Sequence, residues 1–520
     1  MNTKNVNILL IMADQMRADC IEAVNSTIKT PNLQRLVDNG VLIERAYAPT
    51  PVCLPCRVSV LTGQYPSTHG CCHNETCLPR DYLPNMAMEF KKAGYYTHFI
   101  GKSHINSVHD KMSFEAPPNI HNYDFFKQWK GPWYGFDNAD ICVGHTTEYI
   151  APSMHYGAWL EEKGVDIQKY FGNTAYTQYG PWDLPEEYHN SKWVAEITKN
   201  AIEKSRQGDQ PFLIWANFQD PHNPCMVPEP WASMYDPAEI KKHGFKPGEP
   251  ESFKEKPPFY ERILGSSGGY RARDVDPGLP GSGNVSRLPF SDDQVQENAA
   301  CYYGMVSLMD KYIGEILDKL EEMEMMEDTL IVFTSDHGDF LGDHGLYWKS
   351  VVTFDEAMHV PLIISYPRMI PKGRRCKAFH SLIDLPTTFL SFAGLKSPRF
   401  MEGEDQKDVW TNPDKCIRDD VIVEERPYNT DFNEKVLIND EFKLTFFAGR
   451  DYGELYNIKD DPDQIHNLWD DEKHASIKLE MISRILSYTM NKHANQPNST
   501  TRIAEEMTQE QINFPDYLNE

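Results

Sequence analysis

The sequence predicts an α/β fold: a large, mixed and mostly parallel sheet flanked by helices, followed by a smaller C-terminal α+β domain that contains an antiparallel sheet. A chain of 520 residues is too long for one small core, so two domains of unequal size are expected. Short apolar runs alternate with helical patterns through most of the chain, which is typical of a sheet covered by helices. After about residue 401 the character changes to aspartate-rich turns and short strands. We therefore predict a large domain over residues 1–400 and a smaller domain with a tail over residues 401–520.

Five apolar runs predict strands of the large sheet, at residues 7–12, 96–100, 212–217, 329–334 and 360–365. A long helix is predicted before the fourth run, because apolar side chains recur there at alternating spacings of four and three residues. These side chains are Tyr302, Val306, Met309, Ile313, Ile316 and Leu320. In the C-terminal domain, residues 421–423 and 442–447 predict strands.

One segment, residues 241–292, interrupts this pattern. It is rich in proline, glycine, lysine and serine and includes the run Gly-Ser-Ser-Gly-Gly at 265–269. A helix and a strand of the same domain resume after it, so we predict a long surface insertion rather than a linker between domains. Such an insertion could form one wall of a substrate site or a contact in a homo-oligomer. The polar tail from about residue 495 is predicted to be an arm or partly disordered.

Composition restricts the classes of function. Acidic residues outnumber basic residues by 77 to 51, a net charge of −26, and such a protein repels a nucleic-acid backbone. We expect no nucleic-acid partner, and an anionic substrate would require positive charge concentrated at its site. No apolar run approaches the roughly 18 residues that span a bilayer, and no targeting segment is seen, so a cytoplasmic protein without a membrane partner is expected. The eleven cysteines, an odd number spread over a large chain, argue against a disulfide framework.

Two acidic side chains directly follow predicted strands. Asp14 comes after the run 7–12, and Asp336 with His337 comes after the run 329–334. In open α/β sheets, catalytic groups gather beyond the carboxyl ends of the strands, where an acidic residue can be a metal ligand or only a turn residue or helix cap. A carboxylate beside an imidazole suits a divalent cation, and carboxylates favour hard cations such as Ca²⁺, Mg²⁺ or Mn²⁺. The two strand ends are therefore candidate halves of one metal site.

Cys53 is the candidate nucleophile. It stands in the run Cys53-Leu54-Pro55-Cys56-Arg57, whose proline-rich start and following helical pattern place the thiol near a helix N-terminus. There the helix dipole stabilises negative charge, and Arg57 lies one turn further along. From the local sequence alone, a reactive thiolate and an inert buried cysteine both stay open, and the inert cysteine is favoured.

Residues 53–70, CLPCRVSVLTGQYPSTHG, resemble the signature of the sulfatase family, C-x-P-x-R followed by leucine-threonine-glycine. Cys53, Pro55 and Arg57 match the motif, and Cys56 stands where the family more often has serine or alanine. In that family the cysteine is oxidised to formylglycine, and one hydroxyl of the hydrated aldehyde attacks the sulfur of a sulfate ester. The other hydroxyl later expels sulfate as the aldehyde re-forms. The resemblance thus implies a maturation enzyme, either formylglycine-generating or radical, as a partner of this chain.

The resemblance to this branch of the alkaline phosphatase superfamily continues in order from residue 7 to about residue 468. It is carried by the opening strand with Asp14 and Gln15, by Gly-Lys-Ser-His at 101–104, by Asp-Pro-His at 220–222 and by residues 335–349. Gln15 replaces the second acid of the family's first half-site, and its amide oxygen can still ligate a metal. Residues 453–462, GELYNIKDDP, are similar to the family's closing strand and turn.

A single divalent cation is implied by this resemblance, with Ca²⁺ expected first and Mg²⁺ or Mn²⁺ as alternatives. The residues expected to hold it are Asp14, Gln15, Cys53, Asp336 and His337. Because His337 already fills the imidazole position, the neighbouring Asp339, Asp343 and His344 are expected to be supporting or loop residues.

The substrate side of the site is also implied by the resemblance. A sulfate monoester is a poorly electrophilic anion, so the cation, Arg57, Lys102 and Lys349 are expected to neutralise its oxygens. Arg57 is expected to orient the formylglycine diol as well. His222 is the first choice for the acid that protonates the leaving group, with Lys349 or His104 as alternatives.

Hydrolysis of a small anionic sulfate ester is the predicted function, and a sulfated carbohydrate is the expected substrate, with aryl and choline sulfates still open. A phosphonate monoester or phosphodiester hydrolase of the same superfamily is the first alternative, because an Asp-Gln half-site paired with an Asp-His half-site is compatible with that branch. A noncatalytic binding protein would have lost metal ligands or the Lys/Arg set, and neither is lost. The aromatic segment 123–136, with Trp129, Trp133 and Tyr134, would either stack on a sugar or pack around a loop, and packing is favoured.

Overall fold

The computed structural model of the protein describes residues 6–79, 82, 85–172, 178–265, 285, 288–427 and 432–495. In chain order its strands are β1 (Asn7–Ala13), β2 (Val41–Tyr47), β3 (Tyr96–Lys102), β4 (Asn138–Cys142), β5 (Tyr179–Pro181), β6 (Phe212–Asn217), β7 (Cys225–Val227), β8 (Thr329–Ser335), β9 (Leu362–Ser365), β10 (Arg374–Ser381), β11 (Asp420–Glu425), β12 (Glu434–Asn439), β13 (Phe442–Phe447) and β14 (Gly453–Asn457). The α-helices are α1 (Pro31–Asp38), α2 (Cys53–Thr62), α3 (Pro66–His69), α4 (Met86–Lys92), α5 (Tyr123–Gln128), α6 (Met154–Glu162), α7 (Ile167–Tyr170), α8 (Asn190–Gln207), α9 (Glu249–Ser252), α10 (Phe259–Gly265), α11 (Asp292–Glu322), α12 (Asp355–Met358), α13 (Asp384–Phe392), α14 (Lys407–Thr411) and α15 (Ala475–Asn495).

The large sheet has eight strands in the order β10-β2-β9-β8-β1-β6-β3-β4. Only β9 runs against its neighbours, β2 and β8, and the other pairs are parallel. Strands covered on both faces read as continuous apolar runs, and β1, with the sequence NILLIMA, is buried at every position. The predicted mixed, mostly parallel sheet is therefore confirmed, and the carboxyl ends of its parallel strands share one edge.

The long helix predicted before β8 is confirmed as α11. It begins with a capping box in which the side chains of Ser291 and Gln294 each bond the other residue's backbone N–H. Its apolar face packs in the core that also includes Ile11 of β1 and Ile331 of β8. The helix thereby covers the centre of the large sheet on one side.

The C-terminal residues form a second sheet, β11-β12-β13-β14, in which every pair is antiparallel. The predicted strands at 421–423 and 442–447 lie in β11 and β13, and the segment at 453–462 begins with β14. Helix α15 packs on this sheet through Met481 and Ile485. The predicted C-terminal α+β unit with an antiparallel sheet is confirmed.

The described part of the segment 241–292 packs between the two sheets. Phe253, Phe259 and Tyr260 are buried in one cluster with Phe354 of the large domain and Phe447 of β13. Residues 266–269 of the glycine-serine run and the tail from residue 496 lie outside the described residues.

Packing also explains the aromatic segment near residue 130. Trp133 and Tyr134 are 3% and 7% exposed, and Trp133 donates to Ser103 Oγ at 2.9 Å, so the favoured packing role is confirmed.

All eleven cysteines are free thiols, as expected from their odd number. Among the helices of the described residues, none combines the length and the hydropathy needed to cross a bilayer.

Candidate active site

All the predicted site residues meet at the carboxyl edge of the large sheet. Asp14 follows β1, Lys102 ends β3, and Asp336 with His337 follows β8. No predicted site residue is more than 6% exposed. Residues separated by over three hundred positions are thus brought into one buried pocket by strand order, as expected for an open parallel sheet.

Cys53 is the first residue of α2, and its thiol lies at the centre of the pocket. Its sulfur is 3.0 Å from His337 Nε2, 3.2 Å from Lys349 Nζ and 3.7 Å from Asp14 Oδ1. Burial raises the pKa of the thiol, but the charges of Lys102 and Lys349 outweigh burial and hold the pKa well below its ordinary value. The surroundings therefore favour a reactive anionic sulfur over an inert buried cysteine, which the local sequence could not decide.

Four of the predicted metal ligands form a cluster of donor atoms. Atoms of Asp14, Cys53, Asp336 and His337 all lie within 4.8 Å of one another. His337 Nδ1 is 2.8 Å from the carbonyl oxygen of Gly338, so Nδ1–H donates and the lone pair of Nε2 faces the cluster. Two carboxylates and an imidazole held in the ligating tautomer fit a divalent cation.

Gly338 is required by close packing behind this half-site. A Cβ added to Gly338 would lie 1.9 Å from the carbonyl oxygen of Glu356. Any side chain at residue 338 would therefore push the His337 turn away from α12.

Gln15, the fifth predicted ligand, is held on several sides. Its backbone is left-handed, with φ +66°, and its backbone N–H donates to Asp336 Oδ1 at 3.0 Å. Its amide nitrogen donates to Asn223 and Asp339, and its amide oxygen accepts from Lys349. Because an amide oxygen has two lone pairs, Gln15 can hold Lys349 and ligate a cation together. Asp339 thus acts in the supporting position expected for it.

A second group of possible donors, Asp14, His145 and His222, adjoins the first. The Lys102 ammonium contacts Asp14 and lies 2.6 Å from His145 Nε2, while Lys349 Nζ lies 2.9 Å from His222 Nε2. Each of these imidazoles therefore already directs its Nε2 at an ammonium group, whereas His337 Nε2 in the first cluster faces Cys53 and two carboxylates. The first cluster is therefore the better cation site.

Arg57 connects the metal cluster to the strand ends. Its Nε donates to Asp336 Oδ2 at 2.9 Å, and its Nη1 donates to the Lys102 carbonyl and to Asn217 Oδ1, both at 3.0 Å. Its Nη2 is buried without a hydrogen-bond partner among the described residues. An unused guanidinium donor in a dry pocket is suited to binding an anionic oxygen.

Lys349 and His222 are joined by a hydrogen bond. His222 Nδ1 is 2.7 Å from the carbonyl oxygen of Asn223, so Nδ1–H donates there and Nε2 accepts from Lys349. Burial and the nearby positive charges of His145 and Lys349 lower the pKa of His222 well below its ordinary value. Burial also lowers the pKa of Lys349, but Cys53 and Asp14 outweigh it and raise that pKa. The proton therefore resides on Lys349 at rest.

His104 reaches the pocket from a tight left-handed turn, with φ +48°. Neither ring nitrogen has a hydrogen-bond partner among the described residues, and the ring lies close enough to Cys53 to interact with it electrostatically. Burial and Lys102 lower the pKa of His104 to about 4, so its ring is neutral near pH 7. Glu115, beneath the turn, accepts from the backbone N–H groups of Ile105 and Asn106.

His145 belongs to the pocket and was missed in the sequence. Its ring stacks on His222 with centroids 3.4 Å apart, its Nε2 lies 3.2 Å from Asp14 Oδ2, and its Nδ1 lies 3.2 Å from Glu148 Oε2. The residue follows β4, whose short sequence NADIC was not recognised as a strand. Assigning that strand would have exposed His145 as another candidate at a strand end.

His344, expected to be a supporting residue, lies between the buried carboxylate of Glu249 and the partly buried carboxylate of Glu356. Its Nδ1 contacts Glu249 of the segment 241–292, and its Nε2 is 3.2 Å from Glu356 Oε2. Burial lowers the pKa of the imidazole, but Glu356 and Glu249 outweigh burial and raise the pKa to about 9. This ion pair fixes the loop that follows the second metal half-site.

The His344 contact predicts a pH-dependent stability. The pKa of His344 is about 9 in the folded protein and about 6.5 in the unfolded chain. The resulting stabilisation, on the order of 3 kcal/mol, is fully present below pH ~6.5 and is lost as pH rises through about 9. The free energy of unfolding of the native protein should exceed that of His344→Gln by an amount that shrinks over this window. Urea unfolding of both proteins at several pH values measures it. In a Glu356→Gln background, the difference in unfolding free energy between His344 and His344→Gln should depend less on pH. If the difference measured in the native background stays the same from pH 6 to 10, the raised pKa of His344 is refuted.

The chain is similar to known proteins over most of its length. The family model described as Sulfatase matches residues 6–395, and one described as N-sulphoglucosamine sulphohydrolase, C-terminal, matches residues 342–491. The sequence is 27% identical over 494 residues to an arylsulfatase of Clostridium perfringens, covering 92% of this chain and 93% of that protein. It is 24% identical over 515 residues to an N-acetylglucosamine-6-O-sulfatase of Bacteroides thetaiotaomicron, covering 92% and 85%. A phosphonate monoester hydrolase structure from Silicibacter pomeroyi superposes with a TM-score of 0.77 at 25% identity, covering 97% of this chain and 99% of that one.

Proposed function

Because the chain belongs to the sulfatase family, we propose that it hydrolyses sulfate monoesters with a formylglycine made from Cys53, beside a single divalent cation. One observation carries this proposal: the Cys53 sulfur lies 3.0 Å from His337 Nε2 and 3.2 Å from Lys349 Nζ, at the start of a helix. A nucleophile at residue 53 therefore faces a set of metal donors and an ammonium group together. Such a position suits attack on an anionic ester, whose charge must be neutralised first.

The cation would be held by Asp14, Asp336 and His337, with Gln15 and the side chain of residue 53 completing its ligands. Bound there, it would neutralise an oxygen of the ester and lower the pKa of a hydroxyl on residue 53. We propose Ca²⁺ first and Mg²⁺ or Mn²⁺ second, because carboxylate and amide oxygens dominate the donor set.

Formylglycine at residue 53 would supply a geminal diol, with one hydroxyl as the nucleophile and the other able to release sulfate. Conversion of the Cys53 thiol requires a separate maturation enzyme with its own oxidant. The unpaired Nη2 of Arg57 supports the proposal that Arg57 orients this diol.

The remaining side chains act on the ester. We assign neutralisation of its sulfate oxygens to Lys102, Lys349 and Arg57, which concentrate positive charge in a protein of net charge −26. The leaving oxygen would be protonated by the Lys349–His222 pair, because the proton rests on Lys349 Nζ and His222 Nε2 accepts from it. His104, neutral near pH 7, would then contribute hydrogen bonding rather than charge.

We propose a sulfated carbohydrate as the substrate, supported by the similarity to the N-acetylglucosamine-6-O-sulfatase. A phosphonate monoester or phosphodiester is the second candidate, supported by Gln15 at the second acid position and by the similarity to the phosphonate monoester hydrolase.

A panel of five esters tests this assignment. If sulfate monoesters are the substrates, we expect kcat/KM for a sulfated monosaccharide to exceed that for a phosphonate monoester or a phosphodiester by about 100-fold or more. Aryl sulfate and choline sulfate complete the panel, each assayed with Ca²⁺, Mg²⁺ and Mn²⁺. Greater turnover of the phosphonate would establish the second candidate. Greater turnover of aryl or choline sulfate would keep the reaction and overturn the carbohydrate assignment.

A further inference from the structure

Lys349 is delivered to the pocket by a strained segment of backbone. Trp348, Ser350 and Val351 adopt left-handed conformations, with φ of 70°, 80° and 70°. Left-handed conformations are uncommon for residues other than glycine, and for a β-branched residue such as Val351 they are genuine outliers. Strained conformations persist only where the surroundings hold them in place. Contacts on either side of Lys349 must therefore hold this segment in place.

A buried glutamate from the second sheet holds the C-terminal side of this segment. Glu425, the last residue of β11, accepts from Ser350 Oγ, and its other oxygen accepts from the Val351 backbone N–H at 2.9 Å. On the N-terminal side, the Trp348 backbone N–H donates to Asp339 Oδ1 at 3.3 Å. Lys349 is thus fixed between a carboxylate of the large domain and a carboxylate of the C-terminal unit.

Glu425 also faces a second glutamate directly across the sheet. Glu434 of β12 pairs with Glu425 in the antiparallel register, and the two side chains are 0% and 3% exposed. Like charges directly opposite one another destabilise a sheet. Burial together with Glu425 raises the pKa of Glu434 well above its ordinary value, and burial raises the pKa of Glu425 as well. Ionisation of both carboxyls together is therefore disfavoured, and the hydrogen-bond donors of Ser350 and Val351 face Glu425.

We propose that Glu425 is a positioning residue that aims Lys349 at Cys53, so that the second sheet contributes to catalysis through the Ser350–Val351 contact. The inference rests on the proposed function, in which Lys349 binds the ester and holds the proton for the leaving group. Glu425 is not part of the cluster of metal donors, and the contacts to Ser350 and Val351 link it to Lys349.

A double-mutant cycle tests whether Glu425 acts through Lys349. We expect Glu425→Ala to lower kcat/KM about 10- to 100-fold, because small displacements of a catalytic group cost that much. In a Lys349→Ala background, Glu425→Ala should lower kcat/KM by no more than about 3-fold, since the group it positions is already gone. Equal effects in both backgrounds would refute the positioning role and leave only a structural one.

Three further variants separate positioning from general damage to β11. Glu424→Ala removes a neighbouring buried carboxylate that contacts the Ser67 backbone N–H and Lys435, not the Lys349 segment, and should stay within about 3-fold of the native kcat/KM. Glu425→Gln keeps an acceptor for the Val351 N–H and should recover most of the activity lost in Glu425→Ala. Ser350→Ala deletes one contact to Glu425 in a milder way and should lower kcat/KM by roughly 3- to 10-fold. If Glu425→Ala does not fold, the Ser350→Ala result decides the question.

Two measurements are independent of turnover. Hydrogen exchange of the peptide 346–352 should be faster in Glu425→Ala than in Glu424→Ala, because the Val351 N–H loses its acceptor. Calorimetric binding of inorganic sulfate should weaken about 10-fold in Glu425→Ala and stay unchanged in Glu424→Ala. Native protein that neither binds sulfate nor hydrolyses sulfate esters would defeat the proposed function. Native protein that does both, with Glu425→Ala matching Glu424→Ala in every readout, would defeat this inference alone.

Discussion

Replacing Cys53 by alanine is expected to lower kcat/KM for a sulfate ester by about 10⁴-fold or more while the protein stays folded. The side chain at residue 53 is the proposed nucleophile, and among the described residues Cys53 contributes the one thiol of the donor cluster. Thermal unfolding of the variant checks the fold, and steady-state kinetics measures the loss. A Cys53→Ala variant with full turnover would exclude the proposed mechanism.

Cys56 is the matched control for this substitution. It lies on the same helix and is fully buried, and burial together with Asp336 raises the pKa of its thiol well above the ordinary value. Cys56→Ala should therefore keep activity within a few-fold. Peptide mass spectrometry of active native enzyme should find a loss of about 18 Da at Cys53, from thiol to aldehyde, and none at Cys56. Active enzyme that carries only the unmodified thiol at Cys53 would contradict the formylglycine assignment.

Replacing a proposed metal ligand is the second substitution with a large expected effect. Asp14→Asn and His337→Ala should each abolish detectable binding of Ca²⁺ and lower kcat/KM by about 10³-fold or more, because the cation supplies several kcal/mol of charge neutralisation. Treatment of the native enzyme with a chelator should produce a similar loss, and added Ca²⁺ should restore activity. Calorimetry on chelated protein measures the binding.

Asp343→Asn is the control for this experiment. Asp343 is as buried as Asp336 but pairs with Arg17 and His243 instead of joining the donor cluster. The control should bind Ca²⁺ like the native protein, although it is expected to be less stable. Full activity of chelated native enzyme, or equal Ca²⁺ binding by Asp14→Asn and Asp343→Asn, would overturn the proposed metal site.

Five of the six interior strands were predicted, whereas both edge strands and the interior strand β2, whose sequence VLIERAY includes charged residues, were not. Strand β1 is buried on both faces, so its residues are apolar throughout and stand out in the sequence. Strands β4 and β10 lie at the two edges of the sheet and carry polar or charged residues, which an edge strand tolerates. His145 was missed for this reason, since its strand has no continuous apolar run.

The sequence by itself predicted five strands of the large sheet along the chain, and it named the candidate nucleophile and the two candidate metal half-sites. These features are local, because each consists of a buried strand or a helix start followed directly by one or two polar residues. Membership of the sulfatase family follows from the same short motifs in their order.

Only the tertiary structure showed what surrounds the Cys53 thiol and what holds the residues around it. The pKa of that thiol depends on Lys102 and Lys349, which are distant in the chain and reach it only after the sheet has formed. The contact between Glu425 and the Lys349 segment likewise joins the second sheet to the first. Electrostatic and hydrogen-bond energies depend on distance in space, and for residues so far apart in the chain that distance is set by strand order and domain packing rather than by any local pattern.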